Sequence, residues 1–154
     1  MRKKQNRTSL HGVTLEAYGK GFLITGVSGI GKTTAALALI SDKHFWIADD
    51  LALISRNCQG VLIARAHSII RNLLHTNETG IIAVKKLLTA KALKSSTTLA
   101  AVIEVQRTGN VRCSMVEGKK IILGLEVPLI TIKIPPSGYL NKNLLEKAMK
   151  KIKR

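Results

Sequence analysis

The octapeptide Gly26-Val27-Ser28-Gly29-Ile30-Gly31-Lys32-Thr33 matches the phosphate-binding pattern GxxxxGK[ST] at every fixed position. At average residue frequencies, a chain of this length carries that pattern by chance on the order of once in two hundred sequences. Context narrows it further. A short apolar run, Phe22-Leu23-Ile24-Thr25, reads as a buried strand leading in, and Lys32 to Ser41, apolar nearly all round, reads as a packed helix leading out. Strand, glycine-rich loop and helix in that order aim backbone N–H groups and a helix N-terminus at phosphate oxygens. Each residue type follows from that chemistry. Glycines let the backbone curl around an anion, Lys32 brings a point charge to the β- and γ-phosphates, and Thr33 offers an oxygen to Mg²⁺. The nucleotide-binding set is therefore Gly26, Val27, Ser28, Gly29, Ile30, Gly31, Lys32 and Thr33. What receives the phosphoryl group is left open, because ATPases, GTPases and small-molecule kinases share the loop.

Around this motif the 154 residues suffice for one domain, which on folding buries roughly 70% of the surface of the unfolded chain. After a polar segment, Val13 to Tyr18 alternates as a strand does, and His44 to Ala48 is a second apolar strand after the helix. Leu51 to Arg56 and Val61 to Arg65, separated by Asn57-Cys58-Gln59-Gly60, predict a β-hairpin. His67 to Leu74 predicts a short helix. Strands are expected at Ile81 to Val84, Thr97 to Val105, Lys120 to Leu125 and Pro128 to Ile134, and a closing helix after Asn141. The expected class is α/β, with a mixed sheet and flanking helices. Residues 1–9 read as a basic N-terminal tail and 10–154 as the P-loop domain.

Asp49 and Asp50 stand at the carboxyl end of the strand after the P-loop helix, where open α/β sheets place their ligands. Neighbouring strand side chains alternate, so one carboxylate faces an acceptor hydroxyl while the other supports a magnesium shell. A buried carboxylate beside a second one tends to a raised pKa, which suits it to take a proton.

The net charge of +16 invites a nucleic-acid reading. Its distribution argues for a plainer one. Ten of the 25 basic residues are terminal: Arg2, Lys3, Lys4 and Arg7, then Lys142, Lys147, Lys150, Lys151, Lys153 and Arg154. Opposite Leu144, Leu145, Ala148, Met149 and Ile152, the latter group is the solvated face of an amphipathic helix. Docking of an acidic protein partner is a further reading, whereas a nucleic-acid module lacks both a recognised motif and an aromatic stacking platform. Cys58 and Cys113 form no CxxC pair and read as free thiols of a reducing cytoplasm; the four histidines show no metal-ligand spacing. No apolar run approaches a membrane span and nothing resembles an export signal, so the expectation is cytoplasmic.

His11-Gly12, then Gly26 to Ile40 as GVSGIGKTTAALALI, then Ala48-Asp49-Asp50, at these separations, resemble the catalytic domain of HPr kinase/phosphorylase. The similarity is good from Leu10 to Arg65 and patchy to Pro136. It does not extend to the N-terminal domain of longer members, so the expectation is a catalytic-domain-only member. The resemblance implies a phosphoenolpyruvate carboxykinase-like P-loop fold, ATP and Mg²⁺ as cofactors, and a serine of the phosphocarrier protein HPr as acceptor, with phosphorolysis as the reverse reaction. It makes Asp49 the general base, tuned by His11, and sets Asp50 and Thr33 near the metal, with Lys32 on the phosphates and Arg107 as an active-site arginine. It also implies a homo-oligomer, usually a hexamer.

Departures accompany the matches. The family typically carries glutamate after the P-loop Ser/Thr, where this chain has Thr34. The signature Leu-Glu-Ile/Val-Arg-Gly-x-Gly-Ile becomes Leu74-His75-Thr76-Asn77-Glu78-Thr79-Gly80-Ile81, with His75 and Asn77 in place of its glutamate and arginine. The late Pro-Gly-Arg-Asn loop is reduced to Pro136-Ser137-Gly138-Tyr139, without its arginine. These losses motivate one alternative, a nucleotide-binding protein of the same fold with lost or weak phosphotransfer. A small-molecule P-loop kinase is the second; the short chain has no obvious lid or base-reading insertion for it.

Overall fold

The computed structural model describes residues 5–40, 44–66, 73–76, 80–83 and 92–152. Among them, strands β1 (Arg7–His11), β2 (Val13–Ala17), β3 (Lys20–Gly26), β4 (Phe45–Ala48), β5 (Leu51–Arg56), β6 (Leu62–Ala66), β9 (Ser96–Arg107), β10 (Ser114–Ile122) and β11 (Leu125–Ile134) form one mixed sheet. A separate antiparallel pair joins β7 (Leu73–Thr76) to β8 (Gly80–Ala83). The helices are α1 (Lys32–Leu39) and α2 (Lys142–Lys150).

The sheet runs β1-β5-β6-β9-β3-β2-β4, and β11 lies parallel to the far half of β9 with β10 beside it. β9 is long enough for two partners on one side: Ser96 to Thr98 pair with β6, whereas Val102 to Arg107 pair with β11. Its centre is buried on both faces, which explains the unbroken apolar run Leu99-Ala100-Ala101-Val102-Ile103. Ala101, Ile103 and Val105 join Phe22, Ile24, Ile130 and Ile132 in a core covered by α1 and α2. Val102 and Leu99 face the other way, meeting Leu23, Ile54, Leu62 and Val127, so β5, β6 and the tip of the β10–β11 hairpin close the second face.

The expected β2, β3, α1, β4, β5–β6 hairpin, β8, β9 and closing helix are present. α2 is amphipathic: it buries Leu145, Ala148 and Met149, is capped by Asn141 Oδ1 accepting from Leu144 N at 2.9 Å, and carries Lys147 and Lys150 in its last turn. Three expectations need correction. β1 begins within the segment read as a tail, and its Arg7 to His11 pair antiparallel with Ser55 to Leu51. Lys120 to Leu125 is no single strand, because Leu123 (φ 49°) and Gly124 (φ 81°) form a two-residue turn with Ile122 opposite Leu125. The helix expected at His67 to Leu74 falls on residues 67–72, which lie outside the described ones, and on Leu73 and Leu74, which belong to β7.

Strand directions define a rim. β3, β9 and β11 are mutually parallel, and β2 is antiparallel to both β3 and β4. The start of β2 and the ends of β4, β3, β9 and β11 therefore lie along one edge of the sheet, where ligands of open α/β sheets bind.

Candidate functional site

A cavity of about 400 Å³ opens on that rim, lined by His11, Gly12, Val13, Gly26, Ser28, Gly29, Gly31, Lys32, Thr33, Thr34, Asp49 and Asp50. The P-loop forms one wall. α1 starts with Ala35 N donating to Gly31 O at 3.0 Å, so the amides of residues 32–34 have no acceptor inside the helix. No side chain caps this end, and Gly31 holds φ 101°, a conformation that favours glycine. A Cβ at Gly31 would also stand 3.0 Å from Leu140 O. Ile30 is fully buried in the main core and anchors the loop from below, whereas Val27 is exposed. Val27 and Ile30 thus belong to the loop without lining the cavity.

Lys32 Nζ donates to Gly26 O at 2.7 Å and Val27 O at 3.0 Å, folding back over the loop. Burial pushes its ammonium below the ordinary lysine value; the charges of Asp49 and Asp50 oppose that shift and only partly offset it.

The opposite wall carries the acids. Asp49 is 7% exposed and accepts from Thr33 Oγ1 at 3.1 Å. Leu51 N donates to Asp49 O at 2.7 Å around Asp50, whose φ of 67° makes this a γ-turn of the rarer, strained hand. Across the turn Asp49 is buried and Asp50 is exposed, and both line the cavity. Gly12 N donates to Asp50 O at 2.9 Å, and a Cβ on Gly12 would lie 2.4 Å from Ile24 O, so only glycine lets the chain entering β2 pass this close to β3 while it holds the turn. His11, exposed at the end of β1, enters the cavity beside it.

Apart from Val27 and Ile30 of the loop itself, the sequence-derived residues therefore converge on this cavity, with Arg107 the exception. Arg107 does not line the cavity. Its guanidinium donates to Pro135 O at 3.1 Å and to Gly138 O, and lies 5.6 Å from the Tyr139 ring centroid. Thr34 lines the cavity at the position where a glutamate was expected by resemblance. His75 lies in β7 opposite Ile81, and Asn77 is outside the described residues. Gly12 and Pro136 to Tyr139 were noted in the sequence, the first beside His11 and the second as a shortened loop, but neither was placed among the expected site residues.

The family model described as HPr Serine kinase C-terminal domain matches residues 2–154. This chain belongs to that family. It is 39% identical over 137 residues to the HPr kinase/phosphorylase of Pediococcus pentosaceus, covering 83% of this chain and 42% of that protein. To the HPr kinase/phosphorylase of Alkaliphilus metalliredigens it is 36% identical over 133 residues, covering 84% and 43%. The HPr serine kinase domain here thus spans about half the length of the curated relatives it matches. The structure of the Hpr(Ser) kinase/phosphatase from Coxiella burnetii superposes with a TM-score of 0.80 at 27% identity, covering 94% of this chain and 89% of that one. The α/β mixed sheet with flanking helices is thereby the fold of this family. Among the described residues no helix is long and apolar enough to cross a membrane.

Proposed function

We propose that this domain transfers the γ-phosphoryl group of ATP to a serine hydroxyl of HPr or a related phosphocarrier protein, with Mg²⁺ as cofactor. The observation that carries the reading is that Thr33, next to the P-loop lysine, is hydrogen-bonded to the buried Asp49 within one shared cavity. The relatives' own designation as HPr kinase/phosphorylases supports the acceptor.

The amides of residues 32–34 and the Lys32 ammonium receive the phosphate oxygens, the lysine exchanging its loop carbonyls for them. Asp49 accepts the serine proton as the serine oxygen bonds to phosphorus and the β–γ bridging bond breaks to leave ADP. His11, in the same cavity, tunes the position and charge of that base. Mg²⁺ fits the donors present. It takes hard oxygen ligands, needs only one or two from protein beside phosphate and water, and finds here the Thr33 hydroxyl and the Asp50 carboxylate. When bound it neutralises charge on the β- and γ-phosphate oxygens.

The test is incubation of the purified protein with γ-labelled ATP, Mg²⁺ and HPr. Label should appear on HPr serine and require both ATP and the metal. Nucleotide binding with no label on HPr would overturn the reading.

A further inference from the structure

We propose that Tyr139 is the stacking platform for the base of the bound purine nucleotide, braced by Arg107. This rests on the phosphate-site reading above and adds where the remainder of the nucleotide lies.

Along the rim the order is Asp49 after β4, Gly12 before β2, the P-loop after β3, Arg107 ending β9, and Pro135 after β11. Asp49 and Asp50 occupy one flank of the P-loop and define the side where the terminal phosphate meets its acceptor. The ribose and base then leave by the other flank, over the ends of β9 and β11. Two strand spacings, about 10 Å, separate β3 from β11. The segment from Pro135 to Leu140 stands there and is tied to the P-loop: Leu140 N donates to Ile30 O at 2.8 Å, and Leu140 is buried in the main core.

Tyr139 immediately precedes that anchor, yet its ring is 65% exposed. One exposed tyrosine needs no explanation by itself. This one is held. Arg107 reaches across to two carbonyls of the segment, Pro135 O and Gly138 O, and sets its guanidinium over the ring. Gly138 N closes the turn on Pro135 O at 3.0 Å. A cation over one face of an aromatic ring is attracted to it and leaves the opposite face for a flat partner. Arg107 is therefore a positioning residue for the platform, which accounts for its absence from the phosphate cavity. Aromatics are 3% of the chain, and Phe22 and Trp46 are buried, so sequence composition conceals the one ring that the fold sets beside the loop.

The test is calorimetric titration of the full chain with ATP and, separately, inorganic tripolyphosphate, both with Mg²⁺. Tyr139→Ala should weaken ATP binding by about 5- to 150-fold, the range one base–aromatic stack supplies, while tripolyphosphate binds as before. Tyr139→Phe should keep both affinities. Unchanged ATP affinity in folded Tyr139→Ala overturns the proposal, and so does an equal loss of tripolyphosphate, which marks damage to the P-loop. Should the unmodified protein bind neither ligand, the phosphate-site reading itself fails and takes the proposal with it.

Discussion

Thr33 Oγ1 donates a hydrogen bond to Asp49 Oδ1 at 3.1 Å, joining the P-loop to the end of β4 across 16 residues of sequence. Because the hydroxyl gives its proton to the carboxylate, its oxygen lone pairs remain directed elsewhere. One bond thus orients the proposed base and leaves the threonine oxygen available to a cation. The two roles assigned to these residues are mutually compatible without rearranging either α1 or the end of β4.

Asp49→Asn tests the base. The amide oxygen still accepts from Thr33, so the loop and its nucleotide affinity should persist. The amide does not take up the serine proton, and transfer to HPr should fall by about 10²- to 10⁴-fold. Transfer assays paired with ATP calorimetry check this; a variant that phosphorylates HPr at the parent rate removes Asp49 from the chemistry.

Lys32 connects the site to pH. Burial lowers its pKa from the ordinary value of 10.5, with Asp49 and Asp50 acting against that. As pH rises towards that value Lys32 loses its proton ahead of a free lysine, and a triphosphate that needs the charge must bind with proton uptake. ATP affinity should therefore decline through this alkaline range, and titrations in buffers of different ionisation enthalpy should register the proton. Lys32→Arg should abolish the decline, and Lys32→Ala should weaken binding at every pH while leaving the fold intact. Without ligand, the folded state binds fewer protons than the unfolded state between the two lysine pKa values. Stability accordingly rises with pH in that window, and Lys32→Ala should lose this rise.

Legibility in the sequence followed how local each signal was. The P-loop and the Asp49-Asp50 pair are contiguous, so spacing alone brought them to one rim. β1 was missed because Arg-Thr-Ser-Leu-His holds a single strongly apolar residue; it is a strand through pairing with β5, a contact far away in sequence. The first part of β10 was missed because its Glu117, Gly118 and Lys119 look like a loop, although on this solvent-facing strand at the sheet edge they pair in register with β11. The turn at Leu123-Gly124 lacks the Asn-Gly or Asp-Gly that announces such hairpins, and apolar residues on both sides ran together into one apparent strand. Arg107 shows the same limit at the site. Its type and rough position were readable, but its partners, two carbonyls about thirty residues later, were not.

Glu16 offers a stability test remote from the cavity. Burial alone would raise its carboxyl; hydrogen bonds from Lys94 at 2.8 Å and Thr97 at 2.6 Å, with the charge of Lys94, outweigh that and hold it below its usual value. The folded state then binds fewer protons than the unfolded one as pH drops below the unfolded carboxylate value. The contribution is complete at neutral pH and lost as acid titrates the group through its folded pKa. Glu16→Gln should lower stability at neutral pH and make the acid limb of a denaturation profile shallower. Parallel profiles for the two proteins would exclude this brace.

The altered signature yields the last prediction. The family resemblance assigns a metal-supporting glutamate and a phosphate-supporting arginine to the positions held by His75, in β7, and Asn77. Phosphoryl transfer depends on positioning and electrostatics, so two missing charges should appear in rate more than in fold. Phosphorolysis is expected to suffer more than the forward reaction, since it must also hold inorganic phosphate as a second anion and would have one cation fewer to do so. Activity is therefore expected to be slow and biased towards HPr phosphorylation. The double variant His75→Glu with Asn77→Arg should raise both rates and the reverse one more. The two changes belong together, because one new charge without its partner can cost as much as it contributes. Forward and reverse rates on HPr and phosphoserine-HPr decide the matter: an unmodified protein that dephosphorylates as fast as it phosphorylates shows that these two substitutions do not limit the site.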